Sequence, residues 1–325
     1  MPAEKNLNYN GHSIFYRVIG EGNPAVFIHG FGEDGNVWEA PSNSPEGGES
    51  NAQTWLFDDS SLLSKFKFII PDLPGSGKSE MIEDMSVEGM AEVIKNIIDA
   101  EKPPLTPPAG ENNTQPSLIE DATNNSNIPK SEVSEWVSSP VGGSRMGAVL
   151  IGHSMGGYIA LAFAEKYPEY LNGLGLFHST AYPDTEEKKA ARQKGIQFIK
   201  EHGAFEFLKT ANYNLFSQLS KDKMPQLIDE FIGSLRNFTA KALVSYYEAM
   251  MKRPERIATL KNLQIPMLFI AGKYDNAIPL NDILDQCHLP EISYFHILAE
   301  SGHMGMIEET EKSNRILNDY LINLS

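Results

Sequence analysis

One serine lies in a pattern that can turn its hydroxyl into a nucleophile. Residues 152–156 read Gly-His-Ser-Met-Gly, which matches the motif G-x-S-x-G with Ser154 at its centre. A short apolar run at 149–151 precedes the motif, and a helix-like segment at 155–166 follows it. A serine on such a sharp strand-to-helix turn stands above the sheet, and the helix N-terminus lies beneath the negative charge that develops during acyl transfer. The pattern therefore predicts acyl-transfer chemistry at Ser154.

A serine hydroxyl is a weak nucleophile and needs a neighbouring base. His303 is the best placed of the eight histidines, because it follows the last apolar run and precedes the last helix-like segment. That position is the carboxyl end of a predicted strand, at the same edge as Ser154. His178 also ends a predicted strand and is the alternative base. We expect His153 to point into packing and His29 to be structural.

The base in turn needs a carboxylate that fixes its tautomer and stabilises the imidazolium. Asp275 follows the strand-like run before His303 and is the preferred candidate. Asp184 is the main rival, because it follows the preceding strand region, and Asp282 comes third. The order Ser154, Asp275, His303 is one of three known chain orders for such a triad.

The segments around these residues alternate between strand and helix patterns. Short apolar runs that end in Gly or Pro turns predict buried strands at 14–19, 25–28, 66–70, 149–151, 174–177, 266–271 and 292–298. Apolar residues with helical spacing predict helices at 86–100, 155–166 and 310–324. This alternation predicts an α/β fold with a mostly parallel central sheet flanked by helices.

A long helical block interrupts the alternation and suggests a second unit. We expect an α/β core at 1–180 and 264–325, with a helical cap at 181–263. An irregular insertion at about 101–145 is rich in Pro, Asn and Ser and joins a helix to the start of a strand. It should therefore lie at the amino ends of the strands and not act as a lid, because ligands bind at the carboxyl ends. The irregular segment at 40–51 follows a strand and can reach the rim of the site.

Taken together, these motifs resemble the α/β-hydrolase fold family, in its capped esterase and lipase-like branch. The matching pieces, in the order of the family, are His-Gly-Phe-Gly at 29–32, Asp-Leu-Pro-Gly-Ser-Gly-Lys-Ser at 72–79, Gly-His-Ser-Met-Gly-Gly at 152–157, Gly-Lys-Tyr-Asp at 272–275 and Gly-His at 302–303. The segment at 72–79 superficially looks like a phosphate-binding loop. Its first glycine is missing, because Asp72 stands at the required position.

The resemblance implies an oxyanion hole made by the backbone N–H groups of Phe31 and Met155. It also implies a largely apolar substrate pocket, for which we name Gly30, Phe31 and Trp38. The expected reaction is hydrolysis of an ester-type bond through an acyl-enzyme, with no metal and no organic cofactor. A serine nucleophile argues against epoxide hydrolases and haloalkane dehalogenases, which use aspartate. Carbon–carbon bond hydrolases, lactonases, thioesterases and a slow-turnover ligand receptor stay open.

Charge and composition narrow the range of partners. The formal net charge is -16, which disfavours nucleic acid and anionic membrane surfaces and leaves a small molecule as the expected partner. Cys287 is the single cysteine, so it cannot form an internal disulfide, and it belongs to no metal-ligand cluster in the sequence. The opening residues lack the apolar core of a signal peptide, and no segment has the roughly 20 apolar residues that span a bilayer. We expect a cytoplasmic protein.

Overall fold

Eight strands form one sheet in the computed structural model of the chain, which describes residues 2–39, 60–101 and 147–325. The strands are β1 (Ala3–Tyr9), β2 (His12–Gly20), β3 (Asn23–Ile28), β4 (Phe66–Pro71), β5 (Ala148–His153), β6 (Leu171–Phe177), β7 (Met267–Gly272) and β8 (Ser293–Leu298). Their spatial order is β1-β2-β4-β3-β5-β6-β7-β8. The predictions made for residues 40–51 and 102–145 lie outside the described residues.

The sheet is parallel from β4 to β8 and antiparallel only at its first edge. β1 pairs antiparallel with β2, and β2 pairs antiparallel with β4. All other neighbours pair in parallel. Strands β5 and β7 are buried along their whole length, because helices cover both faces of the sheet. The predicted fold class is confirmed.

The helices of the described residues are α1 (Ser60–Leu63), α2 (Val87–Glu101), α3 (Met155–Lys166), α4 (Glu186–His202), α5 (Ala204–Tyr213), α6 (Gln218–Lys223), α7 (Pro225–Ser234), α8 (Ala240–Lys252), α9 (Ile257–Asn262), α10 (Leu280–Leu284), α11 (Gly305–Glu308) and α12 (Thr310–Leu324). Helix α2 packs against α3, and α3 packs against β5 and β6. The amphipathic pattern of α2 buries one apolar face, which includes Met90, Ile94 and Ile97.

Helices α4 to α9 fill the interval between β6 and β7 without a strand. Several contacts join this block to the carboxyl ends of the strands. The Tyr246 hydroxyl on α8 donates to the carbonyl of Pro74 at 2.7 Å. The backbone N–H of His303 donates to the carbonyl of Leu215 at 2.8 Å. The block therefore borders the edge where Ser154 and His303 lie.

Both described ends of the insertion lie at the opposite edge of the sheet. The carbonyl of Glu101, the last residue of α2, accepts a hydrogen bond from Lys67 Nζ at the start of β4. Gly147 packs closely against the backbone of Asn172 at the start of β6. Within the described ranges, no helix has the length and apolar character needed to cross a membrane.

Candidate active site

Ser154 occupies a strained turn between β5 and α3. β5 ends at His153 and α3 begins at Met155, so Ser154 alone makes the change of direction. Its φ is 50° and its ψ is -115°, a backbone conformation that non-glycine residues rarely adopt. The Ser154 N–H donates to the carbonyl of Phe177 in β6 at 3.0 Å, which fixes the turn above the sheet. Strain of this kind is concentrated at functional sites.

The glycine at 156 lets the start of α3 approach the end of β3. A Cβ there would lie 2.3 Å from the carbonyl oxygen of Ile28 and 2.7 Å from that of His29. Any larger residue would therefore force the helix away from the strand. This close approach brings Met155 towards the loop that contains Phe31, so the two predicted oxyanion donors come from neighbouring segments.

His303 and Asp275 form a buried hydrogen-bonded pair. The Nδ1 of His303 lies 2.7 Å from Asp275 Oδ2, and both side chains are buried. The other carboxylate oxygen, Oδ1, accepts the backbone N–H groups of Ala277 and Ile278, each at 2.8 Å. Burial alone would raise the pKa of Asp275, but the charge of His303 and hydrogen bonds from His303 and His178 hold it well below the usual range. Asp275 is therefore an ionised acceptor that leaves His303 Nε2 as the basic nitrogen.

His178, the alternative base of the sequence analysis, contacts the same carboxylate from the end of β6. Its Nδ1 lies 3.1 Å from Asp275 Oδ2 and 3.1 Å from the N–H of Gly272. The side chain is fully buried, and burial lowers its pKa despite the neighbouring Asp275. His178, Asp275 and His303 offer donor atoms within 4.8 Å of one another, as a metal site would. In this arrangement Asp275 Oδ2 hydrogen-bonds to both histidines.

The other polar candidates are engaged elsewhere. Asp184 is ion-paired with Arg192 at 2.5 Å and with Arg253 at 2.9 Å. Asp282 lies 3.9 Å from Lys188 in a partly exposed position. The carboxylates of Asp184 and Asp282 therefore pair with arginine and lysine side chains, whereas the carboxylate of Asp275 contacts two histidines.

His29 is part of the turn that follows β3. Its Nε2 lies 2.8 Å from Ser76 Oγ and accepts the N–H of Leu73 at 2.9 Å. Its Nδ1 lies 2.9 Å from the carbonyl of Gly30. These bonds connect the loop after β3 to the loop after β4, which agrees with the structural role that we expect for His29.

Aromatic side chains from the helical block surround Phe31. The Tyr247 ring stacks on the Phe31 ring with centroids 4.3 Å apart and an interplanar angle of 4°. Phe207 and Tyr246 make edge contacts with Phe31, each with centroids 6.3 Å apart. The sequence analysis missed these three contacts, because aromatic residues in an amphipathic helix are indistinguishable from ordinary core residues. They make the surroundings of Phe31 apolar.

Trp38 is buried among other rings. It packs edge-on against Phe27 at 5.3 Å, Phe177 at 5.8 Å and His153 at 6.4 Å between centroids. Its place in a substrate pocket stays a prediction. Gly30 donates its N–H to the carboxylate of Glu33, a buried residue that the sequence analysis did not single out.

Comparison with known proteins identifies the family and supports the fold. Residues 25–314 match the model of the alpha/beta hydrolase family. The chain is 22% identical to 2-hydroxy-6-oxo-6-phenylhexa-2,4-dienoate hydrolase of Comamonas testosteroni, over 98% of this chain and 94% of that protein. It is 22% identical to 3-oxoadipate enol-lactonase 1 of Acinetobacter baylyi, over 97% and 95%. Its fold is similar to that of a thermophilic esterase from Thermogutta terrifontis, with a TM-score of 0.73, 21% identity and coverage of 100% and 99%.

Proposed function

Because this chain belongs to the alpha/beta hydrolase family, we propose that it is a serine hydrolase that cleaves carboxylic esters of a small, largely apolar substrate. The observations that carry the proposal are the strained turn at Ser154 and the buried His303–Asp275 pair. The residue before Ser154, His153, contacts the backbone carbonyl of His303 at 3.0 Å, so the turn and the pair lie at the same edge of the sheet. In this proposal Ser154 is the nucleophile, His303 the base and Asp275 the residue that orients the base.

The reaction proceeds in two halves. His303 Nε2 takes the proton of Ser154 as its Oγ attacks the ester carbonyl, and the N–H groups of Phe31 and Met155 bind the oxyanion. The alcohol leaves with the proton from His303, so Ser154 carries the acyl group. Water then gives a proton to His303 and attacks the acyl-enzyme. His303 returns that proton to Ser154 Oγ as the acid leaves, which restores the free enzyme.

The apolar environment of Phe31 supports the choice of substrate class. Leu208 on α5 lies so close to Gly32 that a Cβ there would be 2.5 Å from its Cδ2. With Tyr247 and Phe207 it forms an apolar wall over the loop that holds Phe31. We propose that the helical block at 181–263 is the cap of the site and provides the acyl pocket.

The two enzymes that match almost the whole chain favour a second candidate. One is named as the hydrolase of a 2-hydroxy-6-oxodienoate, a compound in which hydrolysis must break a carbon–carbon bond, and the other is named as an enol-lactonase. A lactone is an internal ester, so the same serine attack would open its ring. The 2-hydroxy-6-oxodienoate is a vinylogous diketone, and it would need to be protonated before the serine attacks its carbonyl. These substrates therefore belong in the same test.

The test is hydrolysis of p-nitrophenyl esters from acetate to laurate, with an enol-lactone and a 2-hydroxy-6-oxodienoate in parallel. Ser154→Ala is the blank, and Asp282→Asn is a matched control that changes a carboxylate with no proposed role. Turnover that disappears in Ser154→Ala and persists in Asp282→Asn supports the proposal. Ester turnover that Ser154→Ala retains would contradict it. Serine-dependent turnover of the dienoate alone would favour the carbon–carbon bond reaction.

A further inference from the structure

We propose that Glu33 and His153 form a buried ion pair that positions both the oxyanion loop and the loop of the catalytic histidine. They are positioning residues, since neither is assigned a contact with the substrate. The inference rests on the proposed function, because it concerns how the groups of that reaction are held.

A continuous chain of polar contacts joins Gly30 to His303. The N–H of Gly30 donates to Glu33 Oε2 at 2.8 Å. The same oxygen lies 3.0 Å from His153 Nδ1. On the other side of the ring, His153 Nε2 lies 3.0 Å from the backbone carbonyl of His303. Two segments far apart in sequence are therefore connected through a single imidazole.

The partners of His153 determine its protonation state. An ionised carboxylate and a backbone carbonyl can only accept hydrogen bonds, so beside an ionised Glu33 both ring nitrogens carry a proton. His153 is then an imidazolium beside an ionised Glu33. Burial alone would lower the pKa of His153, but the attraction of Glu33 raises it above the usual value. Burial alone would raise the pKa of Glu33, but His153 holds it below the usual value.

Stability alone does not explain a charged pair at this depth. Both side chains are almost completely buried, and aromatic rings of Trp38 and Phe177 pack edge-on against His153. The desolvation of two charges offsets most of their attraction, so an apolar pair of similar volume would be about as stabilising. An apolar pair cannot form a directed hydrogen bond at each end. The charged pair forms these bonds to Gly30 and to the carbonyl of His303.

The positions of the two residues connect the pair to catalysis. His153 directly precedes Ser154, and Gly30 directly precedes Phe31. A Cβ on Gly30 would lie 2.9 Å from His153 Nδ1, so the loop and the ring are in close packing. Fixing the Gly30 N–H to Glu33 limits rotation of the next peptide, which carries the proposed Phe31 donor. A displaced oxyanion donor lowers the rate without changing ground-state binding.

The experiment measures the rate at which a fluorophosphonate labels Ser154, with the site of labelling checked by peptide mapping. Phosphonylation needs the nucleophile, the base and the oxyanion hole, but no knowledge of the natural substrate. The variants are Glu33→Gln, which keeps the shape and removes the charge, His153→Gln and the double variant. Glu101→Gln is the matched control, because Glu101 is also buried but hydrogen-bonds to Tyr16 and Lys5 at the remote edge of the sheet.

We expect Glu33→Gln and His153→Gln each to slow labelling by about tenfold or more, and the double variant to slow it hardly further, because both act through one chain. With an ester that is turned over, kcat should fall while KM stays within about twofold. Glu101→Gln should label at about the wild-type rate.

Labelling of folded Glu33→Gln at the wild-type rate would overturn the inference, and His153→Gln provides the same test if Glu33→Gln does not fold. An equal loss in Glu101→Gln would also overturn it, because the effect would then be a general consequence of a buried charge. If the wild-type enzyme is not labelled at Ser154, the proposed function itself fails. The two failures are thus separated by the wild-type result.

Discussion

The two carboxylate oxygens of Asp275 have different hydrogen-bond partners. Oδ1 accepts the backbone N–H groups of Ala277 and Ile278, while Oδ2 contacts the ring nitrogens of His303 and His178. The sequence could suggest Asp275 from its place after a strand, because the strands of a parallel sheet end at one edge. It could not show that His178 shares the carboxylate, since that contact depends on how β6 and β7 lie beside each other.

Asp275→Asn should separate the orienting role from folding. The asparagine Oδ1 can still accept the N–H groups of Ala277 and Ile278, which places its NH₂ group opposite His303. His303 Nδ1 would then have to accept, so its proton would move to Nε2 and face Ser154. We expect kcat to fall by about 10³–10⁴-fold with little change in KM, as measured by steady-state kinetics. A fall of less than about tenfold in the folded variant would contradict this role.

The Glu33–His153 pair predicts a pH dependence of stability. The pKa of Glu33 lies below its usual 4.5, so its contribution is present above that pH and is lost as the pH falls through the folded value. The pKa of His153 lies above its usual 6.5, so its contribution is full below that pH and is lost as the pH rises through the folded value. The difference in the free energy of unfolding between wild type and the double variant Glu33→Gln/His153→Gln should therefore be greatest between about pH 4.5 and pH 6.5.

Urea unfolding of both proteins across the pH range checks this prediction. The rings of His178 and His303 and the charge of Asp275 lie close to His153 but are present in both proteins, so their effects on the comparison largely cancel. An advantage that does not change with pH would show that the pair is not ionised in the folded protein.

At the scale of elements, the sequence predicted the strands that contain an apolar run, β2 to β8, and missed β1. β1 is largely exposed and polar, so it has no apolar run. The signal that could have revealed it is Asn10-Gly11, a two-residue hairpin turn in which φ is 51° and 89°. Helices α3 and α12 were predicted within their observed bounds because their apolar spacing and flanking turns agree.

Helix α8 contacts the loop after β3 through the stacked rings of Tyr247 and Phe31. Tyr247→Ala would remove the ring that lies flat against Phe31, whereas Tyr247→Phe keeps it. We expect Tyr247→Ala to lower kcat/KM by about tenfold and Tyr247→Phe to stay near wild type, because a mobile Phe31 weakens both the pocket and the oxyanion loop. Ester kinetics on the two variants checks this. Equal kinetics for both would show that the stack has no part in positioning Phe31.

At the scale of the whole molecule, the sheet separates the two described ends of the insertion from Ser154 and His303. The described ends of the insertion, Glu101 and Gly147, lie at the amino ends of the strands, and Ser154 and His303 lie at the carboxyl ends. This separation could be predicted from the order of elements alone, because a helix-to-strand connection returns the chain to the amino edge.

Replacing residues 103–144 with a short Gly/Ser linker should therefore leave kcat within about threefold, because no described active-site contact comes from that edge. Steady-state kinetics of the shortened, folded protein is the measurement. A loss of more than about a hundredfold would contradict the placement of this segment away from the site.

The covalent intermediate tests the central claim most directly. The enzyme is mixed with an ester whose acyl group leaves slowly, quenched with acid within one turnover, and digested for mass analysis. The account predicts one acyl adduct, on the peptide that contains Ser154, with a burst of alcohol equal to the enzyme concentration. Turnover without an adduct, or an adduct on another residue, would contradict it.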